Sequence, residues 1–391
     1  MMNEEKRICW DCGAIIEDVN EAIWYEEEQD YICQDCYDNS YCTCEECGEV
    51  IHCDNSIYIN DTIYCQSCVN NNFTTCNHCG EYVANNEAYE TENGDVCESC
   101  RYDHFEECAD CGCVYYRDDM HYDDYDDCYY CDDCVKDRTI KEYSYKPTPL
   151  FLGEGSLYMG IELEIDGAGT NEENASRIQE EENNIYIKRD GSLDEGLELV
   201  SHPGTLQYHE NKMRWAELMQ TALRLGYTSH DAGTCGLHIH VSRSFFGTDA
   251  DEQEQGIQKV LYFIEKFWDK MLTFSRRTQE QLDRWANSYG LSEGETPAEL
   301  YSKAKNQYAR YRAINLLNRN TIEFRLYRGT LKHNTFIATL QMTALICQLC
   351  KDATDEFIIN LEWNYIPELA NANGYNELVE YLKNKNLNGG I

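Results

Sequence analysis

Basic residues are nearly missing from the first 150 positions of this 391-residue chain: 8 Lys/Arg stand against 37 Asp/Glu, a net of −29. The remaining 241 residues hold 24 against 35, a net of −11. Nucleic acid and anionic membranes are held by clustered Lys and Arg, so this acidity argues against both and favours cations or a basic partner. Long apolar runs are also absent, and nothing approaches the about 18 residues of a membrane span. The opening MMNEEKRICW is charged and lacks the apolar stretch of a secretory signal, so a cytoplasmic protein with no membrane partner is expected. No G-x-x-x-x-G-K-[ST] or G-x-G-x-x-G occurs, which argues against the P-loop and Rossmann routes to nucleotide. Cysteine is scarce only in the second half: 20 of 23 lie between Cys9 and Cys134. In a reducing compartment such pairs are metal ligands rather than disulfides.

What fills the first half is one unit, four times over. Each copy begins C-x-x-C-G, at Cys9/Cys12, Cys44/Cys47, Cys76/Cys79 and Cys108/Cys111, and ends C-x-x-C, at Cys33/Cys36, Cys65/Cys68, Cys97/Cys100 and Cys131/Cys134. The inner gaps are 20, 17, 17 and 19 residues. Four thiolates suit tetrahedral zinc, and C-x-x-C lets two of them reach one ion from a tight turn. About four structural zincs are expected, either one per unit or interleaved between units. Metal binding would supply the folding energy of such small polar modules. Cys42, Cys53, Cys113 and Cys128 are left over, either as substitute ligands or as free thiols. The units resemble zinc ribbons and the halves of LIM-type modules. Their acidity points to a protein or peptide partner rather than nucleic acid. Residues 1–141 are therefore read as four zinc modules, 142–156 (two prolines, two glycines) as a linker, and 157–391 as a second domain.

The second domain repeats a different pattern. In a strand, alternate side chains share a face. MGIELEID then places Glu162 and Glu164 opposite Ile161, Leu163 and Ile165. LELVS places Glu198 opposite Leu197 and Leu199, with Asp190 in the preceding RDGSL turn near the same edge. GLHIHVS places His238 and His240 opposite Leu237, Ile239 and Val241. NTIEFRLYR places Glu323 and Arg325 opposite Ile322, Phe324 and Leu326. Paired in one sheet, these carboxylates would stand close together, and a like-charged pair at about 4 Å costs roughly 4 kcal/mol at an effective dielectric near 20. Such a face calls for cations. Carboxylates with imidazole suit Mg²⁺ or Mn²⁺ better than zinc, with His238 the better-placed ligand.

Residues 302–332 invert the chain's charge: Lys303, Lys305, Arg310, Arg312, Arg319, Arg325, Arg328 and Lys332 face one acid, Glu323. Arginines beside a hard-metal site suit a polyphosphate clamp. Helices are expected over 207–225, 251–275, 334–351 and 375–386, with a capping box at Thr296–Glu299. The fold class is α+β, with helices on the apolar face of a mixed or antiparallel sheet and the carboxylate face left open as a groove.

Taken in order, MGIELEID, RDGSLDEGLELVSHP, TCGLHIHVS and NTIEFRLYRGTL resemble the amidoligase family, glutamine synthetase-like carboxylate–amine ligases. The resemblance covers residues 158–331. It implies a glutamine synthetase-like catalytic domain whose metal ligands are Glu162, Glu164, Asp190, Glu198, His238 and Glu323, to which the shared strand face adds His240 as a candidate. Asp190 is shorter than the glutamate it replaces. It also implies a phosphate contact at Arg325, with Glu323 and Arg325 as catalytic residues, and the basic run adds Arg328, Arg319 and Arg312 as candidate ATP contacts. The activity implied is an ATP- and Mg²⁺-dependent ligase that forms an amide bond through an acyl phosphate between an acid and an amine. The zinc modules would select a protein or peptide substrate. Two other readings use the same residues: a metal-dependent hydrolase, and a zinc-rich interaction scaffold with an inactive ligase-like half. Cys235 as a nucleophile beside His238 is a third.

Overall fold

The computed structural model describes residues 7–123, 127–307 and 309–389. The chain divides into two compact units, Met1–Asp137 and Arg138–Ile391.

The first unit is built four times from the same short parts. In the first copy Arg7–Ile8 pairs with Ile15–Ile16, Ile23–Tyr25 pairs with Asp30–Ile32, and a helix spans Gln34–Ser40. The next copy starts where that helix stops, with Tyr41–Thr43 pairing Val50–His52. Each C-x-x-C-G turns on its glycine, with φ of 71° to 80° at Gly13, Gly48, Gly80 and Gly112, a region closed to most L-residues. Each of these amides donates back to the carbonyl of the first cysteine, as in Gly13 N to Cys9 O at 2.9 Å. The hydrophobic clusters are small and made largely of the cysteines themselves with a few tyrosines and isoleucines. Cores this small give little stability without a metal.

The second unit holds a seven-stranded sheet. Its strands are β1 (Ile140–Lys141), β2 (Met159–Ile165), β3 (Ile185–Lys188), β4 (Leu197–Ser201), β5 (Gly236–Ser242), β6 (Ile314–Asn315) and β7 (Thr321–Arg328). The order across the sheet is β1-β3-β4-β2-β5-β7-β6. β1 and β3 run parallel and every other pair is antiparallel, giving the expected mixed sheet. The apolar alternation does what period-two patterning requires: Ile161, Leu163, Ile239, Phe324 and Leu326 are all buried in one core.

Helices α1 (Glu172–Gln179), α2 (Leu206–Asn211), α3 (Trp215–Arg224), α4 (Ala250–Lys266), α5 (Trp268–Ser275), α6 (Gln279–Trp285), α7 (Pro297–Lys305) and α8 (His333–Asp352) follow in chain order. After them come α9 (Asp355–Asn360), α10 (Tyr365–Ala372) and α11 (Asn376–Asn384). α8 is buried along most of its length and packs against α4 and α11. Two expected helices are each broken in two, at 212–214 and at Phe267. The Thr296–Glu299 capping box is present at the start of α7. Among the described residues no helix is long and apolar enough to cross a membrane.

The boundary between the units falls before the expected linker. Ile140–Lys141 is already an edge strand, and Leu152 N donates to Pro203 O at 2.9 Å. Segment 142–156 thus belongs to the second unit, because its backbone groups find partners there.

Candidate metal and phosphate site

The zinc modules come first in the chain, and their geometry is direct. The four cysteines of each copy group with one another: Cys9/12/33/36, Cys44/47/65/68, Cys76/79/97/100 and Cys108/111/131/134. This is one site per unit, not an interleaved arrangement. Sulfur–sulfur separations are 3.8 Å for Cys9–Cys36, Cys12–Cys33 and Cys47–Cys65, and 3.9 Å for Cys79–Cys97 and Cys111–Cys131. A tetrahedron with zinc–sulfur bonds of about 2.3 Å has edges of about 3.8 Å, so the four sets fit zinc. Amides also point at the sulfurs, as in Cys33 N to Cys9 Sγ at 3.3 Å and Cys131 N to Cys108 Sγ at 3.3 Å. Burial alone would raise the thiols of Cys9, Cys44, Cys76 and Cys108, but these backbone donors outweigh it and hold each at about 6. Cys42, Cys53, Cys113 and Cys128 stand outside the four groups.

In the second unit the strand register assembles the carboxylate face. Glu162 on β2 lies opposite His238 on β5 and Val200 on β4, while Glu164 lies opposite Glu198 and His240 lies opposite Glu323. A register shift between Leu237 and Ile239 re-aims His238 towards the acids, a common use of a bulge beside a site. His238 Nδ1 is 3.4 Å from Glu162, 3.8 Å from Glu164 and 3.9 Å from Glu323. His240 Nε2 is 3.1 Å from Glu162. Glu162, His240 and Glu323 offer ligand atoms within 4.8 Å of one another, two oxygens and a nitrogen that fit a hard divalent cation. Both imidazoles therefore face the acids: His240 joins the Glu162–Glu323 triad, and His238, the ligand favoured from sequence, stands within 3.9 Å of three carboxylates.

Charge on this face is balanced locally. Burial would raise Glu162, but His240 and His238 hold it well below the usual carboxylate range. His240 is pushed up to about 9: burial lowers it, and the Glu162 carboxylate more than reverses that. Glu323 is held down against burial by His240 and Arg325. It accepts from Asn315 at 2.7 Å, from Asn318 at 3.2 Å and from Arg325. Glu198 goes the other way, up to about 8, because burial and the Glu162 charge outweigh Lys188 at 3.1 Å.

The face is not an open groove. The side chains of Glu164, Glu198, His238, Glu323 and Arg325 are at most 8% exposed, whereas Glu162 and His240 keep 23% and 21%. Part of the cover comes from the expected linker. The Tyr143 carbonyl accepts from Lys188 at 3.1 Å, and its hydroxyl accepts from Arg310 at 2.7 Å. Access is at the Glu162–His240 end.

Other expected residues fall less centrally. Asp190 accepts from Ser192 N at 2.7 Å within its own turn and reaches Glu198 only as a nearby charge. Arg312 is spent on Ser288 O and Gln307, both at 2.6 Å, and Arg319 is exposed. Lys303 and Lys305 pair with Glu295 at 2.9 Å and Glu254 at 2.7 Å, so much of the basic run balances local acids. Cys235 is buried, and that burial pushes its thiol up to about 12, the wrong direction for a nucleophile. Four residues at the face were not singled out from sequence: Lys188, Arg277, Asn315 and Tyr143. Lys188 shares a face with Tyr186, opposite Ile185 and Ile187, on a four-residue strand, a signal too short to read.

The second unit thus presents a sheet face of paired acids and imidazoles beside arginine, with ligand atoms placed where they could hold a cation. Residues 160–347, which build it, match the family described as "Putative amidoligase enzyme". The motif resemblance and the family match thus agree on the amidoligase family for this segment. No curated protein matches the chain. Among solved structures the chain is similar to a bifunctional glutathione synthetase from Pasteurella multocida, at 13% identity and a TM-score of 0.36. That similarity covers 59% of this chain and 46% of the other, so the chain spans under half of that protein, and a likeness this loose carries no argument.

Proposed function

We propose that the second unit is an ATP- and Mg²⁺-dependent carboxylate–amine ligase with a glutamine synthetase-like catalytic fold. The observation that carries this is the register itself: Glu162, His238, His240 and Glu323 meet on one sheet face with Arg325 beside them. Glu162, His240 and Glu323 would hold the divalent cation, with Glu164 and His238 completing the set. When bound, the cation neutralises charge on the phosphates. Arg325 supplies a fork of donors for a transferring phosphoryl group, held in place by Glu323. In the first step an oxygen of the substrate carboxylate bonds to the γ-phosphorus as the bond to ADP breaks. In the second, an amine nitrogen bonds to the acyl carbon, phosphate leaves and the amine loses a proton. Near-complete burial of the face keeps water from the acyl phosphate. The acidic zinc modules would recruit a peptide or protein substrate, and the chain would act in the cytoplasm.

Hydroxylamine trapping tests the reading. Incubated with ATP, Mg²⁺, hydroxylamine and a panel of dicarboxylic amino acids and acidic peptides, the full chain should yield hydroxamate and ADP in equal amounts. AMP with pyrophosphate, or no ATP-dependent hydroxamate across the panel, would contradict it.

A further inference from the structure

A groove among the helices of the second unit is left unused by the sheet face. Two cavities of about 520 and 480 Å³ lie side by side there and share Thr354, Phe357 and Tyr365. Every lining residue comes from α8, α9, α10 or the short links at their ends. The local sequence sets this shape. α8 stops at Asp352, and the Ala353 carbonyl accepts from buried Lys259 at 2.6 Å. Thr354 then caps α9 by accepting from Phe357 N at 3.2 Å, and α9 lasts only six residues before the chain enters α10. This brings the Phe357 ring edge-on to Tyr365, with centroids 5.6 Å apart.

The lining has two kinds of surface. Leu345, Leu349 and Leu369 make the second cavity apolar, while Phe357 and Tyr365 stay 40% and 38% exposed. Single exposed apolar residues are ordinary, but a packed pair beside cavities of this size is the surface of a binding site. Acid surrounds it. Asp352 lines one cavity and Glu356, Glu362 and Glu368 line the other, all four exposed and none in an ion pair among the described residues. Residues 352–368 hold five acids and no Lys, Arg or His. The nearby lysines are committed elsewhere. Lys266, which feels the Glu362 charge, donates to the Ile358 and Ile359 carbonyls, and Lys351 lies 4.4 Å from the centre of the Phe245 ring.

We propose that this groove docks a basic, amphipathic segment of a partner protein, with apolar side chains in the cavities and lysines or arginines against the acidic rim. Charge complementarity selects this occupant. The first 150 residues carry a net of −29 and the whole chain −40, so neither the first unit nor a second copy matches the rim. In the chain's own basic run, Lys303 and Lys305 are already paired with Glu295 and Glu254. An acidic rim steers a basic segment on and rejects an acidic one, while the apolar anchors supply affinity. No strand residue lines the groove, so docking there stands or falls without the ligase reading.

The test uses the full zinc-loaded chain and a synthetic lysine-rich peptide that carries two leucines four residues apart and a benzophenone. The acidic first unit attracts any such peptide, so the readout is where it cross-links, mapped by mass spectrometry. Cross-links should fall within residues 345–373 and persist at physiological salt. Replacing the leucines by serine, or the lysines by glutamate, should reduce labelling there at least about tenfold. Phe357→Ser/Tyr365→Ser and Glu356→Lys/Glu368→Lys should each do the same. Glu173→Lys/Glu180→Lys, exposed at α1, should leave it unchanged. Should the aromatic pair fail to fold without its rings, the charge reversal at exposed positions carries the same expectation. No labelling within 345–373, equal labelling by the glutamate peptide, or labelling that survives both groove pairs would overturn the proposal. Self-association of the chain that Phe357→Ser/Tyr365→Ser abolishes in sedimentation would overturn it as well, by giving the groove to a second copy.

Discussion

His209 shows how much one buried ring can bind the fold to pH. Its Nε2 meets the Met159 carbonyl at 2.9 Å and so donates, while its Nδ1 accepts from Trp215 Nε1 at 3.3 Å. Both nitrogens are used in the neutral form, and a second proton would break the tryptophan bond. Burial accordingly lowers the folded pKa from 6.5 to about 4. The unfolded chain binds the extra proton in that interval, so this contribution is complete above pH 6.5 and is lost as pH falls towards 4. The shift corresponds to about 3 kcal/mol. Denaturant unfolding at pH 7 and pH 5 should show the wild type losing about 2 kcal/mol more than His209→Asn over that interval. Parallel pH profiles would contradict the assignment. Other residues were legible for a simpler reason: Glu162, Glu164, His238, His240, Glu323 and Arg325 alternate with core residues, so their shared face followed from spacing. Arg277 carries no such rhythm, since it stands at a helix–helix corner.

At the scale of elements, β5 does the most positioning. Its first residue has no room for a side chain: a Cβ on Gly236 would meet His238 Nε2, Arg277 Nη2 and Glu164 Oε2 between 2.5 and 3.2 Å. Gly236 N also donates to Glu164. Gly236→Ala should therefore push Glu164 and His238 apart and weaken divalent-cation binding at least about tenfold, at a stability cost typical of overpacking, about 1–3 kcal/mol. Mn²⁺ titration beside a melting curve checks both, and unchanged Mn²⁺ affinity would show that the crowding is absorbed elsewhere. Strands with long apolar alternation were readable from sequence, and so were the helices with a full apolar stripe. β1 and β3 were not, because two and four residues carry no periodicity. Tyr143 was obscured by the prolines and glycines that follow it, which mark a chain without regular structure but not one without partners.

For the whole molecule, the two units should respond differently to loss of metal. The first has only small cysteine-based clusters, whereas the second has one continuous core around the sheet. Metal analysis of the full chain should find about four zincs, and a strong chelator should melt the first unit's near-ultraviolet signal while a cooperative unfolding transition of the second persists. A single transition abolished outright by chelation would contradict independent cores.

The most direct measurement of the central claim is calorimetric titration of Mg²⁺ and ATP into the wild type and into Glu162→Gln/Glu323→Gln. These substitutions keep side-chain size and remove the negative charge from two of the three ligands in the Glu162–His240–Glu323 group. Metal-dependent ATP binding by the wild type, lost in the variant, is the predicted result. ATP bound equally by both, or by neither, would contradict the assignment of this sheet face to metal-assisted phosphoryl transfer.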